Sequence, residues 1–310
     1  MKNVYICIFA VFSMIILLPT VVFSQNILLA GSFERTIKID NKERSYTIYI
    51  PESIDMEKPI SLVIALHGGG GNAKNMAETT NFNKKADEEG FIVAYPNGSG
   101  NLPNHLLTWN AGNCCGYALE NDIDDVRFIK DMIESLIKQL KVDPNRVYVT
   151  GFSNGGMMAY RLACEIPKYI AAIAVVSGSM NIECKSKEPV SVLIMHGTAD
   201  KNVIYEGGKP KQQFDKHLRS DSSVAYAASY WVRRNDCDNT AKPIINGKVI
   251  KTVYDNGKNG TSVVVYKLIG VGHVWPGNTK KTSLTRDPAF LDIDATDIIW
   301  DFFKSHPKKN

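Results

Sequence analysis

The chain has 310 residues, of which 44% are hydrophobic and 22% charged, an ordinary globular composition with enough length to bury a sizeable core. Its 36 basic and 32 acidic residues are mixed along the chain and give a formal net charge of +4. Because a nucleic-acid interface needs Lys and Arg clustered on one face, this mixture argues against nucleic acid as a partner.

The first 24 residues have the layout of a secretory signal peptide. A lysine near the start precedes an apolar run to Leu18, and small residues ending at Ser24 follow. An uncleaved membrane anchor is the alternative, because the apolar stretch to Phe23 approaches spanning length. We expect removal of residues 1–24, secretion to the extracellular space or periplasm, and no stable membrane insertion. Since no repeat or long linker interrupts them, residues 25–310 are expected to form one domain.

Export would place the cysteines in a compartment where disulfides persist. Two bridges and one free thiol are expected after cleavage, and the cysteine spacing does not fit a zinc site. The pairing stays open, although a bond between neighbours would be strained and is expected least. The alternative is that some cysteines are buried thiols. The cysteines concerned are Cys114, Cys115, Cys164, Cys184 and Cys237, and the disfavoured pair is Cys114 with Cys115.

Strand and helix patterns alternate along most of the chain. Alternating polar and apolar residues predict paired strands, and apolar runs that end in glycine predict strands buried on both faces. The clearest helix has Ile129, Met132 and Leu136 on one face. In chain order the predicted elements are a hairpin (35–49), a strand (61–68), a helix (72–89), a strand (91–98), a polar loop (97–121), the clearest helix (between 122 and 143), a strand (146–150), a helix (156–166), two strands (171–178 and 190–197), a hairpin-like pair (251–268) and a helix (294–305).

This alternation predicts an α/β fold, with a mostly parallel central sheet and helices on both of its faces. In such sheets, ligands bind at the carboxyl ends of the strands. The ends of five predicted strands should therefore lie along one edge of the molecule, and they carry the sequences HGGGG, PNG, GFSNG, HGTAD and GVGH.

Ser153 lies in the stretch GFSNGGMMAY, residues 151–160, directly after a predicted strand and before a predicted helix. The G-x-S-x-G pattern is meaningful in that context, because the serine then occupies a sharp turn whose flanking glycines leave its hydroxyl free. The start of the helix also directs unpaired amides at the serine. We interpret Ser153 as a nucleophile, and the alternative is a serine in a glycine-rich turn.

A serine nucleophile needs a histidine base and a carboxylate that holds this histidine. His273 follows a strand, is preceded by Gly272, and lies downstream of every acidic candidate, as the chain order Ser, acid, His requires. Asp200 follows the predicted strand 190–197 and is the expected acid. We therefore predict that Asp200 and His273 complete a catalytic triad with Ser153.

The other histidines and acids have simpler interpretations. His67 and His196 stand where a strand meets glycine, and both are expected to support their loops. His217 and His306 are expected to be exposed, and His105 in the polar loop is the alternative candidate for a catalytic role. The remaining acids are expected either to be solvated (Asp215, Asp221 and Asp236) or to cap a helix (Asp124 and Asp125).

Attack by the serine would create an oxyanion that two backbone amides should stabilise. The amide of Asn154 directly follows the nucleophile and is one expected donor. The second is expected from the HGGGG loop, most simply Gly69, since glycines let the backbone approach a substrate. A phosphate cradle is the alternative for this loop, but the Gly-Lys-Ser/Thr of a P-loop and the spaced glycines of a dinucleotide site are missing. This mechanism requires no metal ion and no organic cofactor.

Several motifs together resemble a known family. HGGGG, TWNAGNCCG followed by Asp124 and Asp125, GFSNGGMMAYRLAC, HGTAD and GVGHVWPG have the order and spacing seen in the secreted polyhydroxybutyrate depolymerase-like esterases. These are grouped with the feruloyl and acetylxylan esterases of carbohydrate esterase family 1. The resemblance spans residues 35–305 and implies an α/β-hydrolase fold with the triad given above.

The resemblance also implies roles for residues outside the triad. Cys114 or Cys115 would be disulfide-bonded, and Trp109 and Trp275 would lie near the active-site mouth and bind substrate. Many relatives have a more varied sequence after the His-Gly of the oxyanion loop, so Gly68 and Gly70 are alternatives to Gly69. A flat aromatic surface suited to a phenolic acid or a sugar ring would then consist of Trp109, Tyr117, Tyr205 and Trp275, and the alternative is that these rings pack in the core or at its rim.

The expected function is that of a secreted serine esterase acting through an acyl-enzyme on esters of plant polysaccharides. Feruloyl esterase is the first choice and acetylxylan esterase the second, so the expected partners are an esterified polysaccharide or a phenolic ester. The alternative within the class is hydrolysis of polyhydroxybutyrate or another short polyester. A peptidase with the same triad and a non-catalytic carbohydrate- or lipid-binding protein on a hydrolase fold are the alternatives from other classes.

Overall fold

The fold is built on one sheet, which has ten strands in the part of the chain that the structure describes. The structure is a computed structural model, and it describes residues 30–55, 57–211, 218–238, 240–279 and 287–309. The expected signal peptide, residues 1–24, lies outside the described residues. The strands are β1 (Gly31–Ile39), β2 (Lys42–Ile50), β3 (Ile60–Leu66), β4 (Ile92–Pro96), β5 (Val142–Phe152), β6 (Ala172–Val176), β7 (Ser191–Gly197), β8 (Ile244–Asn246), β9 (Val249–Tyr254) and β10 (Val263–Leu268).

The strands lie side by side in the order β1-β2-β4-β3-β5-β6-β7-β10-β9-β8. The six central strands, from β4 to β10, are parallel to their neighbours. Two antiparallel strands flank them on each side. The predicted α/β fold with a mostly parallel sheet is confirmed, and the parallel strands place their carboxyl ends along a single edge.

Helices cover both faces of this sheet, as predicted. They are α1 (Ala73–Thr80), α2 (Phe82–Glu89), α3 (Gly116–Glu120), α4 (Asp125–Leu140), α5 (Asn154–Glu165), α6 (Val224–Asn235) and α7 (Ala295–Ser305). On β3, Leu62 and Ile64 belong to one buried cluster, together with residues of α4, α5 and α6, while Val63 and Ala65 belong to a second cluster with residues of α1, α2 and α7. Because successive side chains of a strand point to opposite faces, this division gives the sheet one apolar core on each side.

Several elements differ from the sequence-based prediction. The helix expected over residues 72–89 is two helices, because Asn81 between them adopts a left-handed conformation with φ 54°. The strand expected to begin at Arg146 begins at Val142, so it includes Asp143 and Pro144. Helix α6 lies between the predicted strand 190–197 and the predicted pair 251–268, where the sequence patterns gave no element, and Ser223 caps it by accepting a hydrogen bond from the amide of Tyr226.

Two disulfides and one free thiol are present in the described chain, as expected. Cys164 on α5 is bonded to Cys184, with their Cα atoms 5.0 Å apart, and Cys237 is free. The second bond joins Cys114 to Cys115, the pair expected least. That expectation is wrong: the two neighbours are bonded to each other, with their Cα atoms 3.1 Å apart. Within the ranges given above, no helix has the length and apolar character needed to cross a bilayer.

Candidate active site

Ser153 forms the sharp turn between β5 and α5 at the carboxyl edge of the sheet. Its backbone has φ 56° and ψ −119°, a conformation that non-glycine residues rarely adopt. Two hydrogen bonds hold the turn: the amide of Ser153 donates to the carbonyl of Val176 at 2.9 Å, and its carbonyl accepts from the amide of Met157 at 3.0 Å. The turn is therefore fixed by the end of β6 on one side and by the first turn of α5 on the other.

The glycines beside Ser153 allow close approach of the backbone. A Cβ atom on Gly151 would collide with the carbonyl of Gly155, and one on Gly155 would collide with the carbonyls of Leu66 and His67 at the end of β3. Because these obstacles are backbone atoms, a side chain cannot be accommodated by a change of rotamer. The two glycines of the G-x-S-x-G pattern therefore allow the start of α5 to pack closely against β3 and β5.

Asp200 and His273 lie in contact at the same edge. Asp200 follows β7, and its Oδ2 accepts a hydrogen bond from Nδ1 of His273 at 2.7 Å. Its Oδ1 accepts from the amides of Asn202 and Val203 at 2.8 Å and 2.9 Å. Burial alone would raise the pKa of Asp200, but the neighbouring His273 and His196 outweigh this effect and hold its pKa well below the usual value. The carboxylate is therefore ionised and fixed in direction.

The loop that carries His273 is held against the serine turn. The amide of His273 donates to Oδ2 of Asp287 at 2.6 Å. The imidazole of His273 packs on the ring of Phe152, the residue before Ser153, with a centroid distance of 4.7 Å. Within the described chain, the Ser153 hydroxyl makes no hydrogen bond. The role of Asp287 was not foreseen, since its sequence neighbourhood carries no recognisable motif.

His67 and His196 support their loops, as predicted. Nε2 of His67 accepts from the amide of Gly98 at 2.9 Å, so its Nδ1 carries the proton and donates to the carbonyl of Gly68 at 2.8 Å. Nε2 of His196 donates to the carbonyl of Val203 at 2.8 Å and lies 3.4 Å from Oδ2 of Asp200. His67 thus fixes the HGGGG loop, and His196 fixes the loop that carries Asp200.

The expected oxyanion donors lie on two adjacent segments. The amide of Asn154 is at the start of α5, where backbone amides have no partner within the helix. In the HGGGG loop, the amide of Gly70 donates to the carbonyl of Leu107 at 2.8 Å, and the amide of Gly71 donates to the carbonyl of Gly68 at 2.9 Å. These two amides are engaged within the protein, which favours the amide of Gly69 over that of Gly70 as the second donor.

The two tryptophans expected to bind substrate are buried. Trp109 is 0% exposed, and its indole Nε1 donates to the carbonyl of His67 at 2.9 Å. Trp275 is 2% exposed, and its Nε1 donates to the hydroxyl of Thr296 at 3.2 Å. The prediction that these rings offer a flat surface to a substrate is therefore wrong, because both are enclosed by the core. Tyr117 and Tyr205 are half-buried.

The other acids and histidines lie outside this cluster. Asp124 caps α4 by accepting from the amide of Arg127, as predicted, whereas Asp125 is fully buried in an ion pair with Arg44 at 2.7 Å. Asp221 is buried rather than solvated, since Ser179, Asn181 and Arg219 all donate to its Oδ1. Asp236 is exposed, as predicted, and His105 is exposed as well. His306 was expected to be exposed, but it is half-buried and bonded to Ser262. Asp215 and His217 lie outside the described residues.

No group of three or more His, Cys, Asp or Glu side chains is placed to hold a metal ion in the described part of the chain.

Comparisons with known proteins give one family and a consistent fold. The model of the esterase PHB depolymerase family matches residues 44–205, slightly over half of the chain, including Ser153 and Asp200. Feruloyl esterase B of Piromyces equi is 29% identical over 239 residues, which are 74% of this chain and 42% of that protein. Feruloyl esterase D of Neurospora crassa is 27% identical over 278 residues, which are 86% of this chain and 84% of that protein.

Among solved structures, the acetyl xylan esterase from Aspergillus awamori superimposes with a TM-score of 0.61 at 17% identity, covering 88% of this chain and 99% of that one. At this identity the likeness concerns the fold, which is the α/β-hydrolase fold implied by the sequence motifs. The chain spans less than half the length of feruloyl esterase B, so similarity to that protein covers only a part of it.

Proposed function

Because the chain belongs to the esterase PHB depolymerase family, we propose that it is a serine carboxylic ester hydrolase that forms an acyl-enzyme on Ser153. The observation that carries this proposal is the 2.7 Å hydrogen bond between Asp200 and His273, made beside the strained turn that presents Ser153. A nucleophile on a sharp turn next to an oriented histidine is the arrangement that acyl transfer requires.

In the proposed mechanism, Nδ1 of His273 keeps its proton and donates a hydrogen bond to the ionised Asp200, which leaves Nε2 as the base. His273 takes the proton of the Ser153 hydroxyl while its oxygen attacks the ester carbonyl carbon. The protonated His273 then donates this proton to the leaving alcohol as the ester C–O bond breaks, giving the acyl-enzyme. Water attacks the acyl-enzyme in the same way, with His273 again first base and then acid, and releases the carboxylic acid.

Each attack produces a tetrahedral intermediate with a negative oxygen. We propose that the amides of Asn154 and Gly69 donate hydrogen bonds to this oxygen. Both amides belong to rigid backbone, one at a helix start and the other in a hydrogen-bonded glycine loop. Donors that are already in place stabilise the developing charge without reorganisation, which is why such sites contribute strongly to rate.

The proposed substrates are esters of plant polysaccharides, with feruloyl esters first and acetylated xylan second. This choice is supported by the similarity to two feruloyl esterases along 74% and 86% of the chain. The family match supports a second candidate, a polyhydroxybutyrate or other short polyester. The burial of Trp109 and Trp275 removes the aromatic surface that had favoured a phenolic group on sequence grounds, so the acyl group has to be determined by assay.

The first experiment compares the purified protein with Ser153→Ala on p-nitrophenyl acetate. Hydrolysis by the wild type and none by the variant is expected, whereas equal rates would refute the catalytic proposal and favour a binding protein on the same fold. A comparison of rates on methyl ferulate, acetylated xylan, a hydroxybutyrate oligomer and a peptide amide then assigns the substrate class. Amide cleavage as fast as ester cleavage would point to a peptidase instead.

We also propose that the protein is secreted. The signal-like sequence of residues 1–24 and the disulfide between Cys164 and Cys184 support an oxidising destination. Expression of the full chain in a secreting host, followed by N-terminal sequencing of the protein from the medium, tests this proposal. A mature N-terminus at or near Gln25 is expected, and retention of the uncleaved chain in membranes would contradict it.

A further inference from the structure

Trp109 makes hydrogen bonds on two sides, to two different segments of the active site. Its backbone pairs with the side chain of Asn154: the amide of Trp109 donates to Oδ1 at 2.8 Å, and its carbonyl accepts from Nδ2 at 3.1 Å. Its indole Nε1 donates to the carbonyl of His67 at 2.9 Å. The ring also lies against the imidazole of His67, with a centroid distance of 4.8 Å. A single buried residue is thus bonded to the start of α5 and to the start of the glycine loop.

These two segments are the ones that supply the proposed oxyanion donors. Asn154 provides the first donor through its own backbone amide. The second donor, the amide of Gly69, belongs to the same planar peptide group as the carbonyl of Gly68. In a trans peptide the N–H and C=O bonds point in opposite directions. Whatever fixes the carbonyl of Gly68 therefore fixes the direction of the Gly69 N–H.

The carbonyl of Gly68 is held by two donors, Nδ1 of His67 at 2.8 Å and the amide of Gly71 at 2.9 Å. His67 is in turn linked to α5 by Trp109, which bonds the His67 carbonyl through its indole, in addition to the direct packing of Gly155 against that carbonyl. The contacts form a continuous path from the Asn154 side chain through Trp109 and His67 to the peptide that carries the Gly69 amide.

We propose that Trp109 is a positioning residue that sets the separation of the two oxyanion donors, Asn154 N–H and Gly69 N–H. This inference rests on the proposed esterase function. Stabilisation of an oxyanion requires both donors within about 2.7–3.1 Å of one oxygen atom, so a small change in their separation weakens one of the two bonds. Trp109 thus affects the stabilisation of the transition state through these two amides and does not contact the substrate.

The test replaces Trp109 by phenylalanine, which keeps an aromatic ring and the backbone bonds to Asn154 but removes the indole N–H. The matched control is Trp231→Phe, because Trp231 is also 0% exposed and its Nε1 has no hydrogen-bond partner among the described residues. For Trp109→Phe we expect kcat on p-nitrophenyl acetate to fall about 10- to 100-fold, since loss of a whole donor costs more than displacement of one. KM should change little, and the control should keep the wild-type kcat.

A transition-state analogue separates positioning from general damage. Phenylboronic acid forms a tetrahedral adduct with an active-site serine and places an oxygen in the oxyanion site. Its inhibition constant should rise for Trp109→Phe by about the same factor as kcat falls, while a merely structural defect would lower the active fraction and leave the inhibition constant unchanged. Equal kcat and inhibition constants in Trp109→Phe and wild type would overturn the proposal.

The second variant removes the contact at the other end of this path, the hydrogen bonds between Trp109 and the Asn154 side chain. Asn154→Ala removes the side chain that pairs with Trp109 and leaves the Asn154 backbone amide in place, so the same loss of kcat with little change in KM is expected. Because both substitutions interrupt the same chain of contacts, kcat of the double variant should be no lower than that of the more affected single variant. If Trp109→Phe does not fold, Asn154→Ala alone decides, and an unchanged kcat overturns the proposal. Absence of Ser153-dependent hydrolysis in the wild type would instead refute the esterase function itself.

Discussion

Oδ2 of Asp200 lies 2.7 Å from Nδ1 of His273, and both side chains are almost fully buried. The two residues come from the ends of neighbouring parallel strands, β7 and β10, which the sheet brings together although 73 positions separate them in the chain. The hydrogen bond sets the tautomer of the imidazole and leaves Nε2 free for proton transfer. The sheet edge therefore provides the oriented base on which the proposed esterase mechanism depends.

Replacement of Asp200 by asparagine should lower kcat by about 10²- to 10⁴-fold. Asparagine has nearly the same shape but cannot stabilise the positive imidazolium, and its amide can favour the wrong tautomer of His273. Steady-state kinetics on p-nitrophenyl acetate measures the effect. Asp236→Asn is the control, because Asp236 is exposed at the end of α6 and its replacement should leave kcat unchanged. Turnover near that of the wild type in Asp200→Asn would rule out Asp200 as the triad acid.

His67 should make the protein less stable in mild acid. Burial lowers the pKa of His67 to about 4, opposed by its bond to the Gly68 carbonyl and assisted by the charge of Arg44. The unfolded chain takes up this proton near pH 6.5, whereas the folded chain does not until about pH 4. The contribution of neutral His67 to the free energy of unfolding is therefore complete above pH 6.5. It is lost as the pH falls towards 4, by up to roughly 3 kcal/mol.

Urea unfolding at pH 7.0 and pH 4.5, for wild type and His67→Gln, isolates this contribution. The variant should be less stable at pH 7.0 but should lose less free energy of unfolding on acidification, because glutamine does not titrate. Burial also lowers the pKa of His306, but that residue contributes equally to both proteins and cancels in the difference. Identical losses in the two proteins would show that His67 is not the group responsible.

Gly155→Ala should destabilise the protein even though alanine is the better helix former by about 1 kcal/mol. The added methyl group would meet the backbone carbonyls of Leu66 and His67, so α5 would have to move away from β3. A loss of more than about 2 kcal/mol is expected, with a fall in esterase activity because Ser153 moves with the helix. Thermal unfolding measures the loss. Gly156→Ala, whose methyl group would lie 3.0 Å from a side-chain carbon of Val175 and 3.1 Å from the carbonyl of Gly151, meets less severe obstacles and should cost less, and an unaltered midpoint in Gly155→Ala would contradict the argument.

The sequence predicts those parts of the site that depend on local pattern and chain order. The turn at Ser153 follows from an apolar run, two glycines and a helix, and the partnership of Asp200 with His273 follows from their places after strands. Trp109 is different, because its backbone pairs with the side chain of Asn154, which is 45 residues away. A tryptophan in a polar loop has no local feature that distinguishes a surface ring from a buried one, so its bonds to the two segments that carry the proposed oxyanion donors appear only in three dimensions.

The disulfide between Cys164 and Cys184 should contribute about 3 kcal/mol to stability without contributing to catalysis. It closes a loop of 20 residues between α5 and the segment before β7, and such a constraint chiefly lowers the entropy of the unfolded chain. The double variant Cys164→Ala/Cys184→Ala should therefore have a lower free energy of unfolding in urea and a kcat close to wild type at 25 °C. Replacement, rather than a reducing agent, leaves the bond between Cys114 and Cys115 intact. Cys237→Ala is the control for loss of a half-buried sulfur, and a double variant no less stable than this control would show that the bond does not constrain the unfolded chain.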